Sequence, residues 1–213
     1  ADVLFEELAP IVGYDEIPTT LLSSHTTQQV PAPMLLLKER VRDLLVGCGM
    51  QEVITYSLVS QAALDKVDPG KKLGLALRVA NPMSTEQEYV RTSLRPGLLN
   101  TYASNEKHEK NGIKLFEVGR IYLPRANDLP EEREILAGIL GGPRLESSWL
   151  SGEDTSDFYD AKGILETFLS RLKVKAIFQP AEDQTLLAGK TAAVIIGEER
   201  VGIVGEVHPK TAA

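Results

Sequence analysis

The chain has 213 residues, 43% of them hydrophobic and 25% charged, with 23 basic against 30 acidic side chains and a net charge of −7. That length buries a real core in one large domain, or in one domain with a small appendage. No apolar run approaches the roughly 20 residues that cross a membrane, the lone Cys48 excludes an internal disulfide and a cysteine-based zinc site, and an acidic chain without a basic run argues against a phosphate-gripping nucleic-acid binder.

The start, Ala1 to Glu7, is acidic, unlike a signal peptide, and has no initiator Met, so an excised piece of a longer protein is expected. Residues 4–12 read as a short helix with Pro10 inside it, ending at Gly13 and followed by a turn through Pro18. Residues 19–33, rich in Thr, Ser and Gln with Pro31 and Pro33, read as a linker. The expected division is therefore the end of a preceding small domain over 1–20, a linker over 21–33 and a core over 34–213.

Met34–Cys48 is the clearest helix: Leu37, Val41, Leu44, Leu45 and Cys48 trace one buried stripe, closed by Gly47 and Gly49. Cys48 on that stripe reads as a buried structural thiol, which fits a cytoplasmic setting. Val53–Ser57 is β-rich, Ser60 caps a short helix through Leu64, and alternation over Leu73–Val79 predicts a strand. Asn81-Pro82 marks a turn. Pro96–Lys110 is a second long helix, with Pro96 in the first turn. Ile113–Leu123 is a long strand whose Gly119 suggests a bulge or a close approach. Ile135–Leu140 is another strand, Asp157–Leu172 a third long helix, and Lys175–Gln179 a strand. Thr191–Ile196 and Arg200–Val207 form a hairpin. Consecutive strands without alternating helices predict an α+β fold, a large antiparallel sheet flanked by helices.

Chemistry-bearing motifs are scarce. His25, His108 and His208 lack metal-ligand spacing, and neither a phosphate loop nor a nucleophile elbow occurs. Gly197-Glu198-Glu199-Arg200 lies between β-rich runs and reads as a hairpin turn, not as a nucleotide-binding helix start. Arg120 on the long strand could clamp a phosphate, with Glu117 orienting an amine; a charged pair within or across strands is the alternative. Arg91 and Arg95, flanking Thr92-Ser93, could hold a carboxylate across an interface or stitch their loop to its own helix. Glu6 and Glu7, adjacent on a helix, diverge by about 100° and alone make a poor metal site, although a partner chain could complete one for Mg²⁺.

An ordered series of segments resembles the β subunit of bacterial phenylalanyl-tRNA synthetase. Its members are Glu6-Glu7 with Gly13-Tyr14-Asp15-Glu16-Ile17-Pro18, Val41–Val53 with Thr55-Tyr56-Ser57, Asn81-Pro82-Met83-Ser84, Arg91-Thr92-Ser93-Leu94, Pro96-Gly97-Leu98-Leu99, Leu115–Arg120 and Gly205–Pro209. The resemblance implies a catalytic-like core similar to class II aminoacyl-tRNA synthetases, without ATP or amino-acid machinery of its own. It implies assembly with an α subunit, which uses ATP to aminoacylate tRNA(Phe), in an α₂β₂ heterotetramer, and no cofactor in the isolated fragment. It also implies a Mg²⁺ site shared between subunits. Glu6 and Glu7 match two of its ligands, while the preceding Asp position is Val3, with Asp2 one place off. Leu187–Ala192 lacks the family's His-Pro pair, and the resemblance implies a domain that is expected to continue beyond Ala213. The same residues leave two other functions open, an active adenylate-forming enzyme on this fold and an independent RNA-binding module.

Overall fold

The computed structural model describes residues 2–21, 23, 30–70, 72–126, 128–144 and 154–212, which leaves His25 outside the described residues. Two compact units are present, residues 1–32 and 33–213. The first contains α1 (Asp2–Val12), with Pro10 inside it. Gly13, at φ 97°, ends α1 in a conformation that favours glycine, its N–H returning to Ala9 O at 3.0 Å.

The second unit begins with α2 (Pro33–Gly47), whose end is closed by Gly49 N–H on Val46 O and Met50 N–H on Leu45 O. β1 (Gln51–Glu52) then joins β4 (Ile113–Leu123) in parallel, and β4 pairs antiparallel with β5 (Glu131–Gly141) along its whole length. Between β1 and β4 lie β2 (Leu58–Val59), α3 (Gln61–Val67), β3 (Tyr89–Val90) and α4 (Arg95–Glu106). After β5 come α5 (Phe158–Arg171), β6 (Ile177–Pro180), the hairpin of β7 (Leu186–Ile196) and β8 (Glu199–Val207), and the short α6 (Pro209–Ala212). The strands form three hydrogen-bonded sheets, β1-β4-β5, β2-β3 and β6-β7-β8, instead of the single large sheet expected.

β4 organises the core because both its faces are covered. Its odd-numbered residues Ile113, Leu115 and Ile121 pack against Leu94 and Leu98 of the α4 start. On the opposite face Phe116 packs with Leu45 of α2 and Phe168 of α5. Phe116 is fully buried, worth about 1.5–3 kcal/mol over exposure. The period-two alternation of a strand therefore places Glu117 on the α4 side and Arg120 on the α2 side. α5 joins two clusters: Ile164 and Phe168 face β4, while Phe158, Ala161 and Leu165 face Ala192, Val194 and Val204 of β7 and β8. The single apolar face expected for α5 is thus divided between two sheets.

Several expectations are corrected. Leu73–Val79 is not a strand: Gly74 turns at φ 85°, and among the described residues the segment pairs through an isolated bridge from Arg78 to Tyr89, opposite the two-residue β3. Val53–Ser57 leaves the sheet after Val53 N–H bonds Phe116 O; Thr55 turns inward, and Ile54 and Tyr56 face solvent. Leu37 is exposed despite its place on the α2 stripe. α4 stops at Glu106, before the expected Lys110. β5 starts four residues before the expected Ile135, carrying Glu131 to Glu134 as an exposed charged ladder against β4.

Candidate functional site at the arginine junctions

Arg91, Arg95, Glu117 and Arg120 do not converge on one site. They belong to three separate charged junctions, each with different partners.

The first is buried. Arg91 is 4% exposed and Glu117 2%. Arg91 Nη1 donates to Glu117 Oε1 at 2.8 Å and to Thr55 Oγ1 at 3.0 Å, while Thr55 Oγ1 donates to Glu117 Oε2 at 2.7 Å. Arg91 Nε donates to Arg120 O at 2.8 Å, which satisfies a further guanidinium N–H. Two glycines make the space. A Cβ on Gly119 would stand 2.7 Å from Arg91 Nη2, and one on Gly97 would stand 2.3 Å from Thr55 Oγ1. The β4–β5 register runs unbroken through Gly119, so its purpose is close approach of the guanidinium and not a bulge.

The second junction ties the start of α4 to the loop before β7. Arg95 grips Asp183 in a fork, Nη1 to Oδ1 at 2.9 Å and Nη2 to Oδ2 at 3.1 Å, and Nη1 also donates to Thr185 Oγ1 at 2.6 Å. Thr185 donates both its N–H and its hydroxyl to Asp183 Oδ1. Burial pushes the Asp183 carboxyl up, but the bonds from Arg95 and Thr185 outweigh it and hold it at about 2, below the ordinary 3.8. The neighbouring Gln184 accepts Gly70 N–H at 3.2 Å, and Thr185 O accepts His208 N–H at 2.8 Å.

The third junction is exposed. Arg120 lies opposite Glu134 in the register, with Nε 3.5 Å from Glu134 Oε1 and Nη1 donating to Glu132 Oε2 at 2.9 Å. Glu134 also accepts from Lys38 of α2; that bond first, with Arg120 adding to it, holds its carboxyl below the usual range. Arg120 and Glu117 thus form no pair with each other: they point to opposite faces of β4.

Thr55, Asp183 and Thr185, like Lys38, Glu132 and Glu134 at the third junction, are participants that sequence reasoning did not single out. Thr55 stands 62 residues from Glu117, and Asp183 stands 88 from Arg95, so no local pattern links them. Glu6 and Glu7 are both exposed on α1. Among the described residues no three His, Cys, Asp or Glu side chains group closely enough to hold a metal ion. Adjacent positions on one helix aim these two carboxylates about 100° apart, so the donor set of this chain does not by itself fit Mg²⁺. Glu199 and Arg200 sit in β8, so Gly197-Glu198 is the turn of a hairpin and not the start of a helix.

The family model described as the phenylalanyl tRNA synthetase beta chain CLM domain matches residues 17–213. The chain belongs to this family. It is 40% identical over 209 residues to the phenylalanine–tRNA ligase beta subunit of Dehalococcoides mccartyi, covering 98% of this chain and 26% of that protein. The beta subunits of Geobacter metallireducens and Bacillus cereus are 35% and 36% identical, each over 97% of this chain and 26% of their own length. The chain therefore spans about a quarter of the curated relatives it matches.

In fold, this synthetase beta-chain domain is similar to the pyrrolysyl-tRNA synthetase of Desulfitobacterium hafniense. Two solved structures match, one with TM-score 0.60 and 17% identity, covering 83% of this chain and 60% of that one. The other has TM-score 0.57 and 18% identity, covering 79% and 56%. The architecture is the expected class II synthetase-like α+β arrangement.

Proposed function

We propose that the chain is a non-catalytic, catalytic-like module of the β subunit of a cytoplasmic phenylalanine–tRNA ligase, and that it supports assembly with an α subunit that aminoacylates tRNA(Phe) with ATP, in an α₂β₂ heterotetramer. The observation that carries this reading is the apolar end of α2. Met34, Leu35, Leu36 and Leu37 are all exposed, and a groove of about 250 Å³ continues from Met34 and Leu37 to Val118, Leu136 and Phe168. A cluster of this kind on a domain surface marks a protein contact. Lys38 and Glu134, already paired, edge the groove and give it the polar rim of an interface.

The charged junctions support a structural role for the three arginines. Arg91, Arg95 and Arg120, the arginines weighed as anion ligands, are each held by a carboxylate of the same chain. In this reading Arg91 and Glu117 build the core, Arg95 fastens the β6–β8 sheet, and Arg120 strengthens the exposed ladder. Mg²⁺ binding at Glu6 and Glu7 requires ligands from elsewhere, and no step is assigned to it.

The chain is expected to co-purify with the α subunit, and Leu37→Glu to weaken that capture without lowering the melting temperature of the chain. Equilibrium dialysis with ATP tests the enzymatic alternative: saturable binding abolished by Arg120→Ala would replace this reading with an adenylate-forming one.

A further inference from the structure

Where α5 passes the chain to β6, side chains alternate between core and solvent. Leu172 packs with the α2 and β4 cluster and Ala176 with the β7 and β8 cluster, while Arg171, Lys173 and Lys175 are exposed. Arg40 of α2, exposed as well, joins them: its Nη2 donates to Arg171 O at 3.0 Å, from 131 residues away in the sequence. Four cations therefore gather at the C-terminal end of α5. Asp43 stands one turn beyond Arg40 on α2, and Glu198 lies in the β7–β8 turn, at the end of the sheet where β6 begins opposite Ile195. Neither answers the patch. Among the described residues no ion pair joins any of the four to a carboxylate, whereas Lys38 and Arg42 of α2 and Lys162 of α5 are each paired. Like charges gathered in this way repel one another until a counter-charge arrives.

Lys173 supplies an independent observation. At φ 60° it is the one residue other than glycine with a positive φ among the described residues. It ends α5 with its N–H on Ser170 O, at a position where helices favour glycine. A lysine there carries a Cβ penalty that glycine avoids. Attraction to the helix end accounts for a cation in the last turn, which Arg171 already provides. It does not account for a side chain at the strained position, and a backbone outlier held against such a penalty points to work done by the charge itself.

We propose that this patch contacts the phosphate backbone of an RNA. The centre of a protein interface is apolar and depleted in lysine; here cations form the centre, and the exposed Ile177 is a single apolar side chain beside it. Residues 171–177 contain no aromatic side chain on which a base could stack, so the contact positions an RNA and does not read its sequence. The net charge of −7 confines it to a few phosphates. The choice of RNA among polyphosphates rests on the tRNA-ligase reading above. The patch shares no residue with the α2 groove, so its failure leaves the assembly claim standing.

The test is a fluorescence-anisotropy titration of a labelled RNA hairpin with the chain, repeated over a range of KCl concentrations, with a labelled polyglutamate peptide as the second probe. Saturable RNA binding at low salt is expected, with log affinity falling against log salt by about 0.9 for each cation engaged. Lys173→Gly should lower that slope by about one. The same substitution relieves the backbone, so weaker binding at an unchanged or higher melting temperature cannot come from unfolding. Lys107→Gln, at the far end of α4, should leave the slope unchanged. Absence of saturable RNA binding overturns the proposal, as does an unaltered slope in Lys173→Gly or an equal fall in Lys107→Gln. Saturable binding of polyglutamate in place of RNA also overturns it and assigns the patch to an acidic protein segment.

Discussion

At Arg91 the chain buries a full charge and offsets it with a carboxylate, a hydroxyl and two carbonyls. Such a pair adds little net stability over apolar packing, but removing one partner strands the other in a low dielectric. Arg91→Met should therefore cost about 3–5 kcal/mol in denaturant unfolding. Adding Glu117→Leu to it should recover a large part of that loss; a double variant no more stable than Arg91→Met would contradict this account of the junction. At Asp183 the sign follows from a carboxyl held at about 2 against an ordinary 3.8. A lowered folded value stabilises the protein above the ordinary one, and that contribution fades as pH falls from about 4 towards 2. Asp183→Asn should flatten the dependence of melting temperature on pH in that window. Lys173 adopts φ 60° just after α5, with its N–H on Ser170 O and Val174 N–H on Leu169 O. Lys173→Gly should raise stability by up to about 1 kcal/mol, since glycine enters that region without a Cβ penalty.

Elements with a strong local cause were legible in the sequence. α5 starts at Phe158 because Asp157 and Asp160 form a reciprocal cap, each side chain bonding the other's backbone N–H. Asp157→Ala should cost about 1 kcal/mol, read as a lower unfolding midpoint. Ser60 caps α3, and Gly13 and Gly49 end their helices, for equally local reasons. Elements that depend on a distant neighbour were not legible. Residues 73–79 alternate as a strand does, but pairing needs a partner, and among the described residues it is confined to one bridge at Arg78, closed by the bonds of Leu77 O and Val79 N–H. The charged run Glu131 to Glu134 carries no β signal; it is drawn into β5 because the register with β4 continues through it and Arg120 stands opposite Glu134. Leu37 fits the helical period, yet burial is set by what packs on the helix, and among the described residues of its unit the start of α2 stays uncovered.

Across the whole second unit, β4 and α5 make one core out of separate sheets. β4 carries Phe116 to α2 and α5, and Glu117 to Arg91; α5 carries Phe168 to β4, and Phe158 to the β6–β8 sheet. Arg95 and Asp183 form a second tie between that sheet and the α4 side. The order of family segments made this architecture recognisable, while the charged partners at Thr55 and Asp183 emerge only in three dimensions. The apolar start of α2 is the feature left over by this packing, and it bears the assembly claim. Size-exclusion chromatography with light scattering, on the α subunit co-expressed with a β subunit carrying Leu37→Glu or no substitution, measures that claim directly. The expected result is a stable heteromeric complex for the unsubstituted protein and a marked loss of it for Leu37→Glu. A folded β subunit that forms no complex, or a complex unaffected by Leu37→Glu, would contradict the claim.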